Sequence, residues 1–386
     1  MKSILFFIES LEGGGAEGAL ANLVGAIDKS KFDINVVSVT DNEFHTDTIK
    51  ANSSYRSFTR KSPTGSRAKG LFNKAVIKLS LTAPPALVRK ALIKGKYDIE
   101  VAFCEGYSTK IIGASKDKKS RKIAWVHTDL INNPWSEAMH GGARAEKECY
   151  KNFDAVVCVS QTIKDSFVKK YGMEEKTRVI YNVLNDKDIF KKAEEPFDFE
   201  PEKRPLLVLA GGLRKVKGFD RMVRVCARLR DEGYVFFAII LGGGSERGDI
   251  ESLIDEHDLR RTISLLGFQD NPCKFMSKAD VFVCSSRAEG YSTVVTEAVL
   301  LGIPVVTTEC SGMREIFGEA ECGIICENSE EGLYGALKKV LSEPGLLKRF
   351  GKESKKRAAD FKSEVQIKAV EKFFEETQAN AAEDKI

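Results

Sequence analysis

Short, continuous apolar runs alternate with helical patterns along this chain, and the alternation occurs twice. In the first half the runs fall at 3–8, 33–39, 97–103, 121–126, 154–159 and 177–180, with helical patterns at 16–28, 69–80, 107–115 and 161–171. Runs that are apolar throughout, not at every second residue, fit strands buried on both faces of a parallel sheet. The second half restarts the pattern, with strands at 205–210, 235–241, 261–266, 280–284, 303–307 and 323–326. Its helices are 219–230, 249–256, 293–301 and 331–341, and the tail 363–377 reads as one more. Between the halves, 185–205 is polar, carries Pro196, Pro201 and Pro205, and reads as a linker. The expected architecture is α/β, with two doubly wound, Rossmann-like domains facing across a cleft. The first covers 1–184 and is joined by the C-terminal helix 363–386; the second covers 185–362. Ligands of such sheets bind at the carboxyl ends of the strands.

A length of 386 residues suits two such cores. The longest apolar runs are strand-sized or amphipathic, too short to span a bilayer. The first apolar stretch, Ile4 to Ile8, ends at Glu9 and does not make a signal peptide. A cytoplasmic protein is expected. Nine cysteines without paired metal spacing fit buried, reduced thiols and no metal site; Cys322 and Cys326 lack a second pair.

Charge is uneven. The chain is net +4, yet 48–97 holds twelve Lys and Arg and no Asp or Glu, which leaves the remainder at −8. Within that stretch, 69–81 puts Leu71, Phe72, Ala75, Val76 and Leu79 on one helical face, and 87–96 is similarly apolar and basic. Such segments bind anionic membrane surfaces, and they serve equally as core-packing helices with a solvated basic face. Aromatic residues suited to base stacking are sparse there, so nucleic acid is not expected as a partner.

Four places carry candidate chemistry. After the first strand, Gly13, Gly14 and Gly15 precede Ala16 and Glu17, which is either a tight turn or a ligand loop beside a helix N-terminus. It is neither the dinucleotide fingerprint nor a Walker A loop. After strand 205–210, the loop from Gly211 to Gly218 gathers Arg214, Lys215 and Lys217 just before a helix, electrostatics suited to a diphosphate. After strand 280–284, Glu289 lies on a loop and Glu297 on the helix that follows. Between them, Gly290, Tyr291, Ser292 and Thr293 lead into that helix and offer backbone donors to an anion. A helix glutamate facing the cleft accepts both hydroxyls of a ribose; in the alternative, both glutamates are surface charges. Finally, His127 ends strand 121–126 at its carboxyl edge, followed by Thr128 and Asp129.

Together these residues resemble the retaining, two-Rossmann-domain (GT-B) glycosyltransferases, specifically family 4, over nearly the whole chain. Gly14-Gly15-Ala16-Glu17 resembles the family's N-terminal loop near donor phosphate and acceptor. His127 resembles its histidine near the donor sugar, and Tyr181-Asn182 the pair that closes the first domain. Gly211 to Gly218 resembles the phosphate-binding segment. The most specific match is Glu289 and Glu297 with seven residues between them, followed by Gly302-Ile303-Pro304-Val305-Val306. Two positions depart: Gly212 stands where the family has arginine, so one diphosphate contact is either missing or supplied by Arg214, and Gly18 replaces a frequent Lys or Arg.

The resemblance implies a hexosyl transfer with retention, in surface polysaccharide assembly. Glu289, His127 and Lys217 would be catalytic, with Glu289 contacting the sugar. Gly15, Arg214, Lys217, Gly290, Tyr291, Ser292 and Thr293 would hold the diphosphate. Glu297 would bind the ribose, with Gly243 and Phe268 as further nucleotide contacts. Gly14, Glu17 and Asp129 would meet the acceptor. A UDP- or GDP-sugar is the expected donor and a glycan, lipid-linked, the acceptor; no metal or other cofactor is implied. A sugar-nucleotide 2-epimerase of the same fold, or a non-catalytic transferase-like subunit, would carry similar residues. An NAD-dependent dehydrogenase would not.

Overall fold

The computed structural model describes residues 1–11, 14–41, 45–60, 77–79, 81–197, 199 and 204–383. Two compact units result: Met1–Val183 with Ser363–Ile386, and Leu184–Lys362.

In the first unit the strands are β1 (Lys2–Ile8), β2 (Phe32–Asp41), β3 (Ser54–Arg60), β4 (Ile99–Ala102), β5 (Arg121–Val126), β6 (Ala155–Cys158) and β7 (Thr177–Val179). They pair in the order β3-β2-β1-β4-β5-β6-β7, all in parallel. Ile4 to Ile8 are buried without alternation, as a strand covered on both faces requires. The tail helix, Ser363–Glu383, closes one of those faces. Its Phe374 is fully buried, with ring centroids 6.1 Å from Phe6, 6.1 Å from Phe32 and 6.5 Å from Trp125. At its exposed edge, Glu371 accepts the Asp28 N–H at 2.9 Å and pairs with Lys31. The chain's last segment is therefore core to the first unit. On β4, Glu100 is fully buried and its charge is met by Arg89 from the helix Pro85–Leu92.

In the second unit the strands are β8 (Leu206–Ala210), β9 (Phe237–Leu241), β10 (Ile263–Gly267), β11 (Val281–Cys284), β12 (Val305–Thr308) and β13 (Gly323–Cys326). Their order, β10-β9-β8-β11-β12-β13, repeats the winding of the first sheet. The helix Phe219–Asp231 buries Met222, Val223, Val225, Cys226 and Leu229 against this sheet.

Three expectations need adjustment. The stretch read as a linker contains a helix, Asp186–Ala193, that belongs to the second unit. Asn271 donates to the Lys192 carbonyl at 2.8 Å and Ser277 to that of Ala193 at 3.0 Å, which seats it. Strand β3 was not expected, because its sequence, SYRSFTR, is polar and basic; as an edge strand it has one neighbour and needs little apolar surface. The helix expected at 69–80 lies outside the described residues except for 77–79, as do Glu12 and Gly13 of the glycine loop.

Each sheet reverses its winding between two adjacent strands, β1 and β4 in the first unit and β8 and β11 in the second. Loops diverge above such a switch point and leave a crevice. The Gly14–Gly15 loop follows β1, the 211–218 loop follows β8, and the 285–292 loop follows β11.

Candidate active site

In the second unit, the two loops at the switch point are stitched together. Lys217 Nζ lies 2.7 Å from Glu289 Oε1, and the Ser286 hydroxyl donates to the same oxygen at 2.5 Å. Burial opposes the charge on Lys217, but Glu289 outweighs it and holds the ammonium pKa above the ordinary lysine value. Arg287 reinforces the seam. Its N–H donates to the Val216 carbonyl at 2.7 Å, and its guanidinium grips the Asp220 carboxylate at 2.7 and 2.8 Å. Burial would raise the Asp220 pKa, yet the hydrogen bonds from Arg287 and Arg224 push it well below the usual carboxylate range.

Gly212 is the position where an arginine was expected. A Cβ built there would lie 3.4 Å from Arg214 Nε and 3.8 Å from its Nη2. The guanidinium of Arg214 therefore lies against Gly212, and the loop keeps a cation at this point.

Beyond Glu289, the segment Gly290 to Ser292 enters the helix Thr293–Leu300. Tyr291 and Ser292 are buried, and Ser292 Oγ has no hydrogen-bond partner among the described residues. An orphaned hydroxyl beside free helix N–H groups is a ready donor set for an anion. One turn on, the Glu297 carboxyl is pushed up to about 7 by burial, with Lys192 the opposing charge. No hydrogen bond satisfies it among the described residues. Gly243 and Phe268 stand on the neighbouring loops: a Cβ on Gly243 would lie 3.7 Å from Phe268 Cβ, and the Phe268 side chain is 54% exposed.

In the first unit, His127 leaves the end of β5. Burial drives its pKa down to about 4, against a ring hydrogen bond to the Phe103 carbonyl. Nε2 is buried and unpartnered among the described residues, so the nitrogen engaged with Phe103 is Nδ1. The ring is neutral near pH 7 with its proton on Nδ1, which leaves Nε2 as a lone-pair acceptor. Its loop is held by Glu105, on the loop after β4. One carboxylate oxygen accepts the N–H groups of His127 and Thr128, each at 2.6 Å, and burial raises the Glu105 pKa to about 7.

The remaining expected residues have simpler surroundings. Gly14 caps the helix Gly15–Ala26, and the Glu17 carboxylate folds back to within 2.4 Å of where a Gly14 Cβ would sit. A Cβ on Gly15 would meet nothing within 4 Å. Asp129, 7% exposed, accepts the N–H groups of Ile131 and Asn132 at 3.0 and 3.1 Å and the Asn132 amide at 2.8 Å. Its carboxylate builds its own turn. A cavity of about 180 Å³ opens beside the ends of β1 and β2, lined by Glu9, Ser10, Val39, Thr40, Ile77, Leu81 and Tyr107. Among the described residues no group of three His, Cys, Asp or Glu side chains gathers to hold a metal.

Sequence reasoning missed Glu105, Ser286 and Arg221. An acid two residues beyond a strand end was a signal for Glu105. For Arg221 there was none, since it reads as one more cation on a basic helix.

Two Rossmann-like units of matched winding, the second with a cationic loop and a glutamate at its switch point, define the GT-B class. Residues 190–357 match the family model described as Glycosyl transferases group 1, and residues 13–187 match that of Glycosyltransferase Family 4. The chain belongs to glycosyltransferase family 4. It is 31% identical over 215 residues to the N-acetylgalactosamine-N,N'-diacetylbacillosaminyl-diphospho-undecaprenol 4-alpha-N-acetylgalactosaminyltransferase of Campylobacter jejuni, covering 55% of this chain and 57% of that protein. It is 30% identical over 170 residues to the Escherichia coli O-antigen biosynthesis glycosyltransferase WclY, covering 43% and 46%. The chain thus spans about half the length of these curated relatives. Its fold is similar to that of Anabaena HepE, crystallised with UDP and glucose (TM-score 0.76, 19% identity, covering 97% of this chain and 100% of that one).

Proposed function

We propose that this chain is a retaining glycosyltransferase that moves a hexose or N-acetylhexosamine from a UDP- or GDP-sugar to a lipid-linked glycan in surface polysaccharide assembly. The observation that carries the reading is the Lys217–Glu289 pair, set at the switch point beside the orphaned Ser292 hydroxyl. The family supports it, as do relatives named for transfer to a diphospho-undecaprenol-linked sugar and for O-antigen biosynthesis.

In this reading the bond between the anomeric carbon and the diphosphate oxygen breaks while the acceptor oxygen bonds on the same face. The acceptor's proton passes to the departing diphosphate. Lys217, Arg214 and the N–H groups at Ser292 and Thr293 neutralise the charge that builds on the leaving group, without a metal. Glu289 orients the sugar and stabilises positive charge at the anomeric centre; within the first unit, His127 Nε2 offers a lone pair to a hydroxyl donor. Glu297 takes the ribose hydroxyls, and Gly243 and Phe268 border the base. The cavity lined by Glu9, Ser10, Thr40 and Tyr107, with Gly14 and Glu17 nearby in sequence, suits an acceptor's hydroxyls. The test is a panel of UDP- and GDP-sugars offered with lipid-linked acceptors, read by NMR of the new anomeric linkage. Retained configuration supports the reading; interconversion at the sugar's 2-position would replace it with an epimerase, and inertness with all donors would replace it with a non-catalytic subunit.

Glu297 gives a pH signature. Its folded value, about 7, stands above the ordinary 4.5. Stability from this group is full below 4.5 and is lost as pH rises through 7. Binding runs the other way, because the ionised carboxylate is the stronger acceptor of ribose hydroxyls. Nucleotide affinity is expected to fall about tenfold between pH 8 and pH 6 and to stay flat in Glu297→Gln. Calorimetric titration across that range checks it, and an equal slope in both proteins would remove Glu297 from the nucleotide site.

Peripheral attachment to the inner face of the membrane belongs to the same proposal. Leu79, Leu81 and Leu87 are exposed among Lys78, Lys90, Lys94 and Lys96, and among the described residues no helix is long and apolar enough to cross a membrane. The chain is expected to float with anionic liposomes at low salt and to detach as salt rises. Failure to float at low salt would discard the idea.

A further inference from the structure

Arg221 is a buried arginine that forms no ion pair with a carboxylate among the described residues. It is 5% exposed, on the first turn of the helix Phe219–Asp231. Its Nε donates to the Ser285 carbonyl at 2.8 Å, and its Nη2 donates to the Ser286 carbonyl at 2.7 Å and to Asn328 Oδ1 at 2.9 Å. Taking a cation out of water for neutral acceptors alone is costly, so a packing role would be met more cheaply by an apolar side chain.

The two serines it grips each hold one half of the ion pair. Ser285 Oγ donates to the Lys217 carbonyl at 3.0 Å, and Ser286 Oγ donates to the Glu289 carboxylate at 2.5 Å. Behind them, Thr308 Oγ1 also donates to the Ser286 carbonyl at 2.6 Å, and Asn328 Nδ2 donates to the Arg287 carbonyl at 2.8 Å. One guanidinium thus fixes two consecutive peptide carbonyls, and the hydroxyls of the same residues fix Lys217 and Glu289. We propose that Arg221 is the positioning residue of the donor site: through Ser285 and Ser286 it sets Lys217 and Glu289 in register for a nucleoside diphosphate. The proposal rests on the donor reading given above and adds to it a residue that touches no substrate.

The test measures the affinity of UDP, GDP and uridine for the full chain and for Arg221→Met, Lys217→Met and the double variant. In Arg221→Met, UDP is expected to bind about tenfold more weakly while uridine stays within twofold, because only the diphosphate sees Lys217. The double variant should be little weaker than Lys217→Met alone, since Arg221 acts through that lysine. Equal losses for UDP and uridine, or fully additive losses in the double variant, would overturn the assignment in favour of a folding role. Should Arg221→Met not fold, Arg221→Lys carries the test. Its single ammonium cannot bridge both carbonyls and Asn328, so the UDP-to-uridine ratio must still fall, and an unchanged ratio overturns the proposal. If the unaltered chain binds neither UDP nor GDP, it is the donor reading that fails.

Discussion

Lys217→Met should lower kcat/KM for sugar transfer by ~10²–10³-fold, the usual cost of removing one preorganised charge from a site where negative charge develops. The loss should be larger than its effect on donor binding, because the diphosphate gains charge only as the glycosidic bond breaks. A second consequence follows from the geometry. Glu289 has a side chain 10% exposed, and in the variant it keeps the Ser286 hydroxyl but loses its only cation within ion-pair distance among the described residues. With one of its two partners among the described residues gone, the carboxylate is held less firmly and orients the sugar less well, which adds to the loss. Lys217→Arg should recover part of the rate, since it keeps the charge but not the reach to a single oxygen. Initial rates of transfer at subsaturating donor check these points together. Wild-type kcat/KM in Lys217→Met would dismiss the cradle as the place where leaving-group charge is met.

Much of this arrangement was legible in the chain. Buried parallel strands need apolar residues on both faces, so β1, β5, β9 and β11 announce themselves as unbroken runs. The turn from β11 into its helix carries Glu289 and Glu297 in one local segment, so their relation needs no tertiary information. What escaped depended on partners distant in sequence. Arg221 shares a helix with Arg224, Arg228 and Arg230, which reach Asp220, Glu330, Glu331 and Asp231 at the surface. Only the fold shows that Arg221 alone meets the loop after β11. Glu105 and His127 are twenty-two positions apart, and their bond exists because β4 and β5 are neighbours. The helix Asp186–Ala193 escaped for another reason. Of its eight residues only Ile189 is buried, so the apolar stripe that reveals most helices is almost missing.

Gly218→Ala should destabilise the second unit and weaken donor binding together. Gly218 has φ +67, in the left-handed region, where any L side chain is strained by about 1–2 kcal/mol. A Cβ there would also lie 2.1 Å from the Ser285 carbonyl oxygen and 2.8 Å from Arg221 Nε, so it strikes the seam between the two loops. Overpacking of this kind adds about 1–3 kcal/mol. A total of roughly 2–5 kcal/mol should lower the melting temperature by about 4–20 °C in a unit of this size. Because Ser285 must retreat, the hydrogen bonds to Arg221 and Lys217 should loosen and donor affinity should fall with stability. Gly233 provides the control on the same helix. It follows the other end, has φ +87, and a Cβ there would meet nothing within 4 Å. Gly233→Ala should therefore cost only the backbone strain and leave nucleotide binding intact. Thermal unfolding and UDP titration of both variants separate the two terms. Equal losses in the two proteins would mean that backbone conformation alone requires glycine at 218, and that the close approach of Ser285 contributes nothing to the donor site.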